Sequence, residues 1–410
     1  MPRSIFRNTI SALIAAAASM TASHAVFAQD LSDWKAIEQD AKGQTVYFNA
    51  WGGAQNINEY ISWAGDQLKQ RYDITVVHVK LDDTANAVAT VVAEKAAGKD
   101  QGGSIDLIWI NGENFASMKR QNLLLSPGWA EKLPNWQYVD HESKPTIQTD
   151  FTIPVEGLES PWGMAKMVFF HDTAREIEMP DSFAELVDWT GKHPGRFSYP
   201  APPDFIGSSF LKQALSESVT DPSVLLEPVD ESTFAQVTEP LFSQLDTMHP
   251  NLWRGGRTFP KNKEALRRML ADNEVDIAFA FSPAEASNAI ANKELPSSVR
   301  SFVFSGGTLG NTHFVAIPYN SNAKQGALVL ANFLLSPEAQ FRKQDPAIWG
   351  DPTVLAMDKL PDEQRARFKA LDLGIATLGP AELGPALHEP HASWMTRIEE
   401  EWVRRYGVAN

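Results

Sequence analysis

Apolar and polar positions alternate in two different rhythms along this chain, and the rhythms take turns. Thr45 to Ala50 is a short run of β-branched and aromatic residues that predicts a strand, ending in Trp51-Gly52-Gly53. Ile57, Tyr60, Ile61, Ala64 and Leu68 then recur at helical spacing. Ile74 to Val79 predicts a second strand, and Asp83 opens a helix with Val88, Val91 and Val92 on one face until Gly98 stops it. Ile105 to Ile110 predicts a third strand, closing on Asn111-Gly112-Glu113-Asn114. Strands also fit Lys166 to Phe170, Arg196 to Tyr199, Val275 to Phe281 and His313 to Pro318. Helices fit Gly207-Ser208-Ser209 onward, Ala323 to Leu335, and the segment opened by Ser336-Pro337-Glu338, an N-cap, first-turn proline and acid in their preferred order.

Strand and helix signals in alternation predict an α/β fold with mainly parallel sheets flanked by helices. The length, 410 residues, predicts two lobes, and the order of elements has the chain crossing between them near Trp162 to His171 and near Asn311 to Pro318. The expected division is a leader over 1–28, a first lobe over 29–165, a second over 166–312, a return to the first over 313–345, and a helical C-terminal segment over 346–410 that the pattern assigns to neither lobe.

The first residues change the expected compartment. Arg3 and Arg7 precede an apolar run from Ile10 to Ala18, followed by Val26-Phe27-Ala28, the pattern of a secretory leader cleaved near Ala28. The run is short of the roughly 20 apolar residues a bilayer span needs. The expected product is therefore periplasmic, and without a cysteine anywhere it is not a lipoprotein and carries no disulfide, iron–sulfur cluster or thiolate zinc site. Acidic residues outnumber basic ones 51 to 36, a net charge of −15, and no basic face interleaved with aromatics is present for nucleic acid. The surplus suits a cationic solute or simply solubility.

Catalytic signatures are few. No G-x-S-x-G elbow, H-E-x-x-H helix, phosphate-binding loop or dinucleotide fingerprint occurs. His388-Glu389-Pro390-His391 is the one group with metal-like spacing, and Pro390 makes a structural turn the better reading. An exported hydrolase stays open as the rival class, because glycosidase carboxylates need no fixed spacing.

Four stretches resemble the YnjB-type substrate-binding proteins of ABC transporters, within the type II periplasmic binding proteins. They are Val46 to Gly53, Asp106 to Phe115, Ala331 to Gln340 and Asp345 to Pro352. The resemblance implies two lobes closing on a small solute in a cleft, delivery to a membrane permease with a cytoplasmic ATPase, no catalysis and no cofactor, and action as a monomer. Ferric-ion receptors of this fold use adjacent tyrosines, and none of the seven tyrosines here has a tyrosine neighbour.

Candidate solute contacts follow from strand ends, where open α/β sheets seat ligands. Trp51 and Trp162 offer indole faces, with core filling as the alternative. Asn49, Gly52 and Asn111 offer hydrogen bonds beside turns. Glu113 and Asp204 form a pair expected in opposite lobes, which favours an organic solute that is cationic or carries several hydroxyls; a solvated Glu113 and an Asp204 helix cap are the plainer readings. Ser208 and Ser209 suit an anion only if those acids point away. Phe205 and Phe281 are expected as walls, and Asn311 and Trp349 flank the crossings.

Overall fold

A computed structural model describes residues 31–379, 382–384 and 386–407, and residues 31 onward form one compact unit. The expected leader and its cleavage position lie outside the described residues. No described helix is long and apolar enough to cross a membrane.

The first half runs α1 (Trp34–Ala41), β1 (Thr45–Trp51), α2 (Gln55–Tyr72), β2 (Thr75–Leu81), α3 (Ala85–Ala96), β3 (Leu107–Ile110), α4 (Gly112–Arg120), a hairpin of β4 (Thr149–Asp150) and β5 (Ile153–Pro154), and β6 (Glu159–Lys166). It continues with β7 (Val168–Asp172), α5 (Phe183–Lys192), α6 (Phe205–Ser218), α7 (Phe234–Met248), α8 (Lys263–Ala271), β8 (Ile277–Ala280), α9 (Glu285–Ala291) and β9 (Val299–Phe302). The last part is β10 (Thr308–Ala316), α10 (Lys324–Leu334), α11 (Pro337–Gln344), α12 (Asp362–Lys369), β11 (Ala386–Leu387) and α13 (Ala392–Tyr406).

Apart from the two-stranded β4–β5 hairpin, the strands form two sheets, one per lobe. In the first, β2, β1 and β3 are parallel, β10 runs antiparallel to β3, and β6 and β11 join β10. Helix α2 covers this sheet with Ile57, Tyr60, Ile61, Ala64 and Leu68, the five apolar positions of its pattern, all buried. The second lobe's sheet places β7 between β8 and β9, and both pairings are antiparallel where the alternation predicts parallel strands. The reason is that β7 enters straight from the crossing, so its neighbours return toward the first lobe. Arg196 to Tyr199 is not a strand. Its carbonyls are taken singly, that of Arg196 by the Asp276 N–H and that of Phe197 by the Trp253 N–H, each at 2.8 Å, and prolines at 200, 202 and 203 stop any extension.

The two crossings are neighbours. β6 and β10 pair antiparallel from Gly310–Lys166 to Ala316–Glu159, with a register shift between His313 and Phe314. Opposite that shift Pro161 and Gly163 have partners and Trp162 has none, so Trp162 is the bulged residue. Its fully buried ring is driven into the first lobe's core, edge-on to Trp109 at 4.9 Å and Trp349 at 5.3 Å. Beneath it lies a buried ionic group: the Asp351 carboxylate takes the Lys343 ammonium and the His313 ring, each at 2.7 Å, and Lys343 also donates to the Trp162 carbonyl. Burial alone would raise the Asp351 pKa, but His313 and Lys343 hold it below the usual carboxylate range. Gly163 makes room for this group, since a Cβ there would overlap the Asp351 carboxylate and the Lys343 ammonium.

The C-terminal segment divides between the cores. Val354, Leu355, Leu360 and Phe368 pack on the first lobe, whereas Ala376, Trp394, Ile398 and Trp402 belong to the second lobe's core.

Candidate functional site

The hairpin of β4 and β5 starts the site, because its tip breaks a local rule. Phe151 and Thr152 sit at φ 44° and 71°, a region where non-glycine side chains cost about 1–3 kcal/mol each. Asp150 anchors the tip by accepting the Gly112 N–H at 2.7 Å. The Phe151 ring then lies flat against Gly112, where a Cβ would stand 2.7 Å from it; Gly112 is itself at φ 58°. Glycine at 112 is therefore required by backbone and by packing at once.

Across the cleft, α6 supplies Lys212. This helix is buried from Ile206 to Leu215, and Lys212 is 1 % exposed. Its ammonium meets the Glu389 carboxylate at 2.6 Å and stands 4.3 Å from the centre of the Phe151 ring and 5.9 Å from that of Phe205. The other Glu389 oxygen accepts from Asn311 on β10 at 3.1 Å. A cavity of about 420 Å³ opens beside this group, lined among others by Thr146, Thr149, Phe151, Asn311, His388 and Glu389. It draws on the first lobe, on the crossing strand and on the C-terminal segment together.

Carboxylates dominate the charge here. Helix α13 packs against both α4 and α6, which brings Glu399 to the Ser208 hydroxyl, whose proton it accepts. Burial raises the Glu399 pKa, and the charges of Glu113 and Asp83 raise it further against the pull of Lys212. Burial likewise raises Glu113, which feels Asp83 and Glu389 across the cleft. Asp150 is pushed up to about 8 by burial, with Glu113 and Glu389 adding to it. Glu159 behind it is raised well above its ordinary value by burial and by Asp150, and neither of its oxygens has a protein partner.

The thirteen sequence candidates fall into two sets. Glu113, Phe205, Ser208 and Asn311 stand in the group around Lys212, and Asn111 borders it by donating to the Thr312 carbonyl at 2.6 Å. Phe281 is buried behind Phe205, edge-on at 5.5 Å. The others lie elsewhere. Trp162 and Trp349 are core residues, and Trp51 folds over Gly53 against the first core, with Gly52 pressed on Lys80. Asn49 is buried in β1 with its carbonyl oxygen unpartnered, and Ser209 is buried in α6 with an unpartnered hydroxyl. Asp204 is the N-cap of α6, accepting from the Ile206 and Gly207 N–H groups at 3.0 and 3.2 Å. Asp204→Ala should cost about 1 kcal/mol of stability in a urea titration, the ordinary worth of such a cap, and leave solute affinity unchanged.

Lys212, Phe151 and Glu389 stand at the centre of this candidate site; the sequence singles out Glu389 only within the His388 to His391 group, and neither of the other two. A lone lysine inside the apolar run Phe205 to Leu215 was the available signal. Glu389 lies in the His388 to His391 group, where the His391 ring accepts from the Ser393 N–H as the cap of α13.

Over residues 63–345 the chain matches the family model described as bacterial extracellular solute-binding protein. It is 46% identical over 377 residues to protein YnjB of Escherichia coli strain K12, covering 92% of this chain and 95% of that one. The fold is shared with the TpPotD lipoprotein of Treponema pallidum at 15% identity and a TM-score of 0.64, covering 87% of this chain and 97% of that one. It is shared also with the fructose-6-phosphate-bound periplasmic binding protein AfuA of Actinobacillus pleuropneumoniae, at 15% identity and a TM-score of 0.60 over 89% and 99% of the chains. The spermidine/putrescine ABC transporter substrate-binding protein PotD of Streptococcus pneumoniae matches at 16% identity and a TM-score of 0.57 over 88% and 99%. Family and fold are those of transport-binding proteins, and the chain belongs to the bacterial extracellular solute-binding proteins.

Proposed function

We propose that this protein captures a small organic cation between its lobes and delivers it to an ABC permease driven by a cytoplasmic ATPase, without turning it over. One observation carries the reading. The cleft already stabilises an organic ammonium, that of Lys212, between a carboxylate and two phenyl rings, the chemistry that recognises amines. Around it Glu113 and Glu399 are raised in pKa by burial, with the charge of Asp83 adding to both, and the pull of Lys212 does not offset this. A solute ammonium brought against these carboxylates relieves that cost. Glu113, Glu399, Asn311, Phe151, Phe205 and Ser208 are the proposed solute contacts, and the lobes close by bending at the β6–β10 ribbon. The spermidine/putrescine ABC transporter substrate-binding protein among the structural neighbours is consistent in kind with this reading.

We further propose export to the periplasm with the leader removed after Ala28, as a monomer without a lipid anchor. The test is a thermal-shift panel on the exported form, whose mass also reports the cleavage. Amines at about 100 times their dissociation constant should add roughly 2.7 kcal/mol of stability. A shift with neutral polyols or sugar phosphates, and none with amines, would sink the cationic reading. Consumption of the bound compound would instead favour the hydrolase.

A further inference from the structure

We infer that Lys212 is the cleft's resident occupant: its ammonium fills the amine-binding box, holds the two lobes together through Phe151, and must be displaced when a solute enters. The displacement step rests on the cationic reading above; the holding step does not.

The geometry of Lys212 is that of a ligand. Its stem leaves a helix of the second lobe, yet its charge makes contacts drawn from three parts of the chain: Phe151 of the first lobe's hairpin, Glu389 of the C-terminal segment, itself bonded to Asn311 on the crossing strand, and Phe205 at the start of its own helix. A lysine near a surface ordinarily extends its ammonium into water. This one points inward, and Phe151 meets it on backbone held at φ 44°. A solute that closes two lobes does so by touching both, and Lys212 already touches both.

An occupied box also sets a threshold. An incoming amine gains only the difference between its own contacts and those of Lys212, so its apparent affinity is lowered by the fraction of molecules in which Lys212 is seated.

The test compares full-length exported wild type with Lys212→Gln and Phe151→Leu by small-angle scattering without any solute, and then with 1,4-diaminobutane as the probe. Lys212→Gln leaves Glu389 buried without its partner, so Phe151→Leu, which keeps the ion pair and removes only the ring, guards against a folding artefact. Both variants should show a larger radius of gyration than wild type, and Lys212→Gln should bind the diamine at least about ten-fold more tightly, or 1.4 kcal/mol. Variants as compact as wild type would overturn the inference, whatever the diamine does. An expanded Lys212→Gln that binds the diamine no more tightly than wild type does would overturn the displacement step. Expansion with no diamine binding to any form would uphold the holding step and count against the cationic reading instead.

Discussion

Replacing Asp351 with alanine should lower the folding free energy by about 3–5 kcal/mol, because it strands a fully buried ammonium. Lys343 is 0 % exposed and its charge has one carboxylate partner, at 2.7 Å. The rings of Trp162 and Trp349, 5.3 and 5.4 Å from that ammonium, offer it only a weaker electrostatic contact. The desolvation already spent on the pair becomes uncompensated once the carboxylate is gone. Removing both charges with Lys343→Met and Asp351→Leu should be milder than the single substitution, since no charge is then left buried. Urea midpoints at constant slope would show the ordering. A loss below about 1 kcal/mol in Asp351→Ala, or a double variant worse than the single, would contradict the account.

Asp150→Asn should stabilise the protein at pH 8 by several kcal/mol and change little near pH 4. The sign follows from proton counts. The folded carboxyl titrates at about 8, pushed up by burial, whereas in the unfolded chain it titrates near 3.8. Below that lower value both states hold the proton and the group is neutral to folding. Between the two the folded state alone retains it, so stability falls as pH rises, and the loss is complete above 8. Four units correspond to roughly 5 kcal/mol as an upper bound. Asparagine keeps an acceptor for the Gly112 N–H and removes the titration, which flattens the slope and also relieves Glu159. A variant whose stability keeps the wild-type pH slope would show that Asp150 is ionised in the folded protein.

How much of this was legible in the sequence depends on what each residue's role requires of its neighbours in the chain. Helix α2 was readable because its five buried positions repeat at the helical period, and β1 because its residues suit a pleat on their own. β6 was not, since Pro161 and Gly163 read as a turn; only pairing with β10 and a bulge at Trp162 make a strand of them. The second sheet's antiparallel order is set by a crossing, which periodicity does not encode. Asp204 shows a local rule winning: a carboxylate two and three residues before free helix N–H groups is a cap before it is anything else. The site was the least legible part. Phe151 and Thr152 carry no glycine to announce a left-handed turn, and Lys212 meets Glu389 from 177 positions away.

The pairing of β3 with β10 joins Ile110 to Phe314, so the second lobe's sheet and helices α5 to α9 hang as an insertion within the first, and α13 returns to complete their core. Closing so long a loop is entropically cheap to vary, about 0.6 kcal/mol for each doubling of its length. Its cost falls instead on assembly, since the first lobe cannot complete its sheet until the inserted lobe has been synthesised. An architecture of this kind leaves the inserted lobe free to grow, shrink or change its lining over evolutionary time while the enclosing lobe keeps its register. Diversification of solute choice is thereby decoupled from preservation of the scaffold.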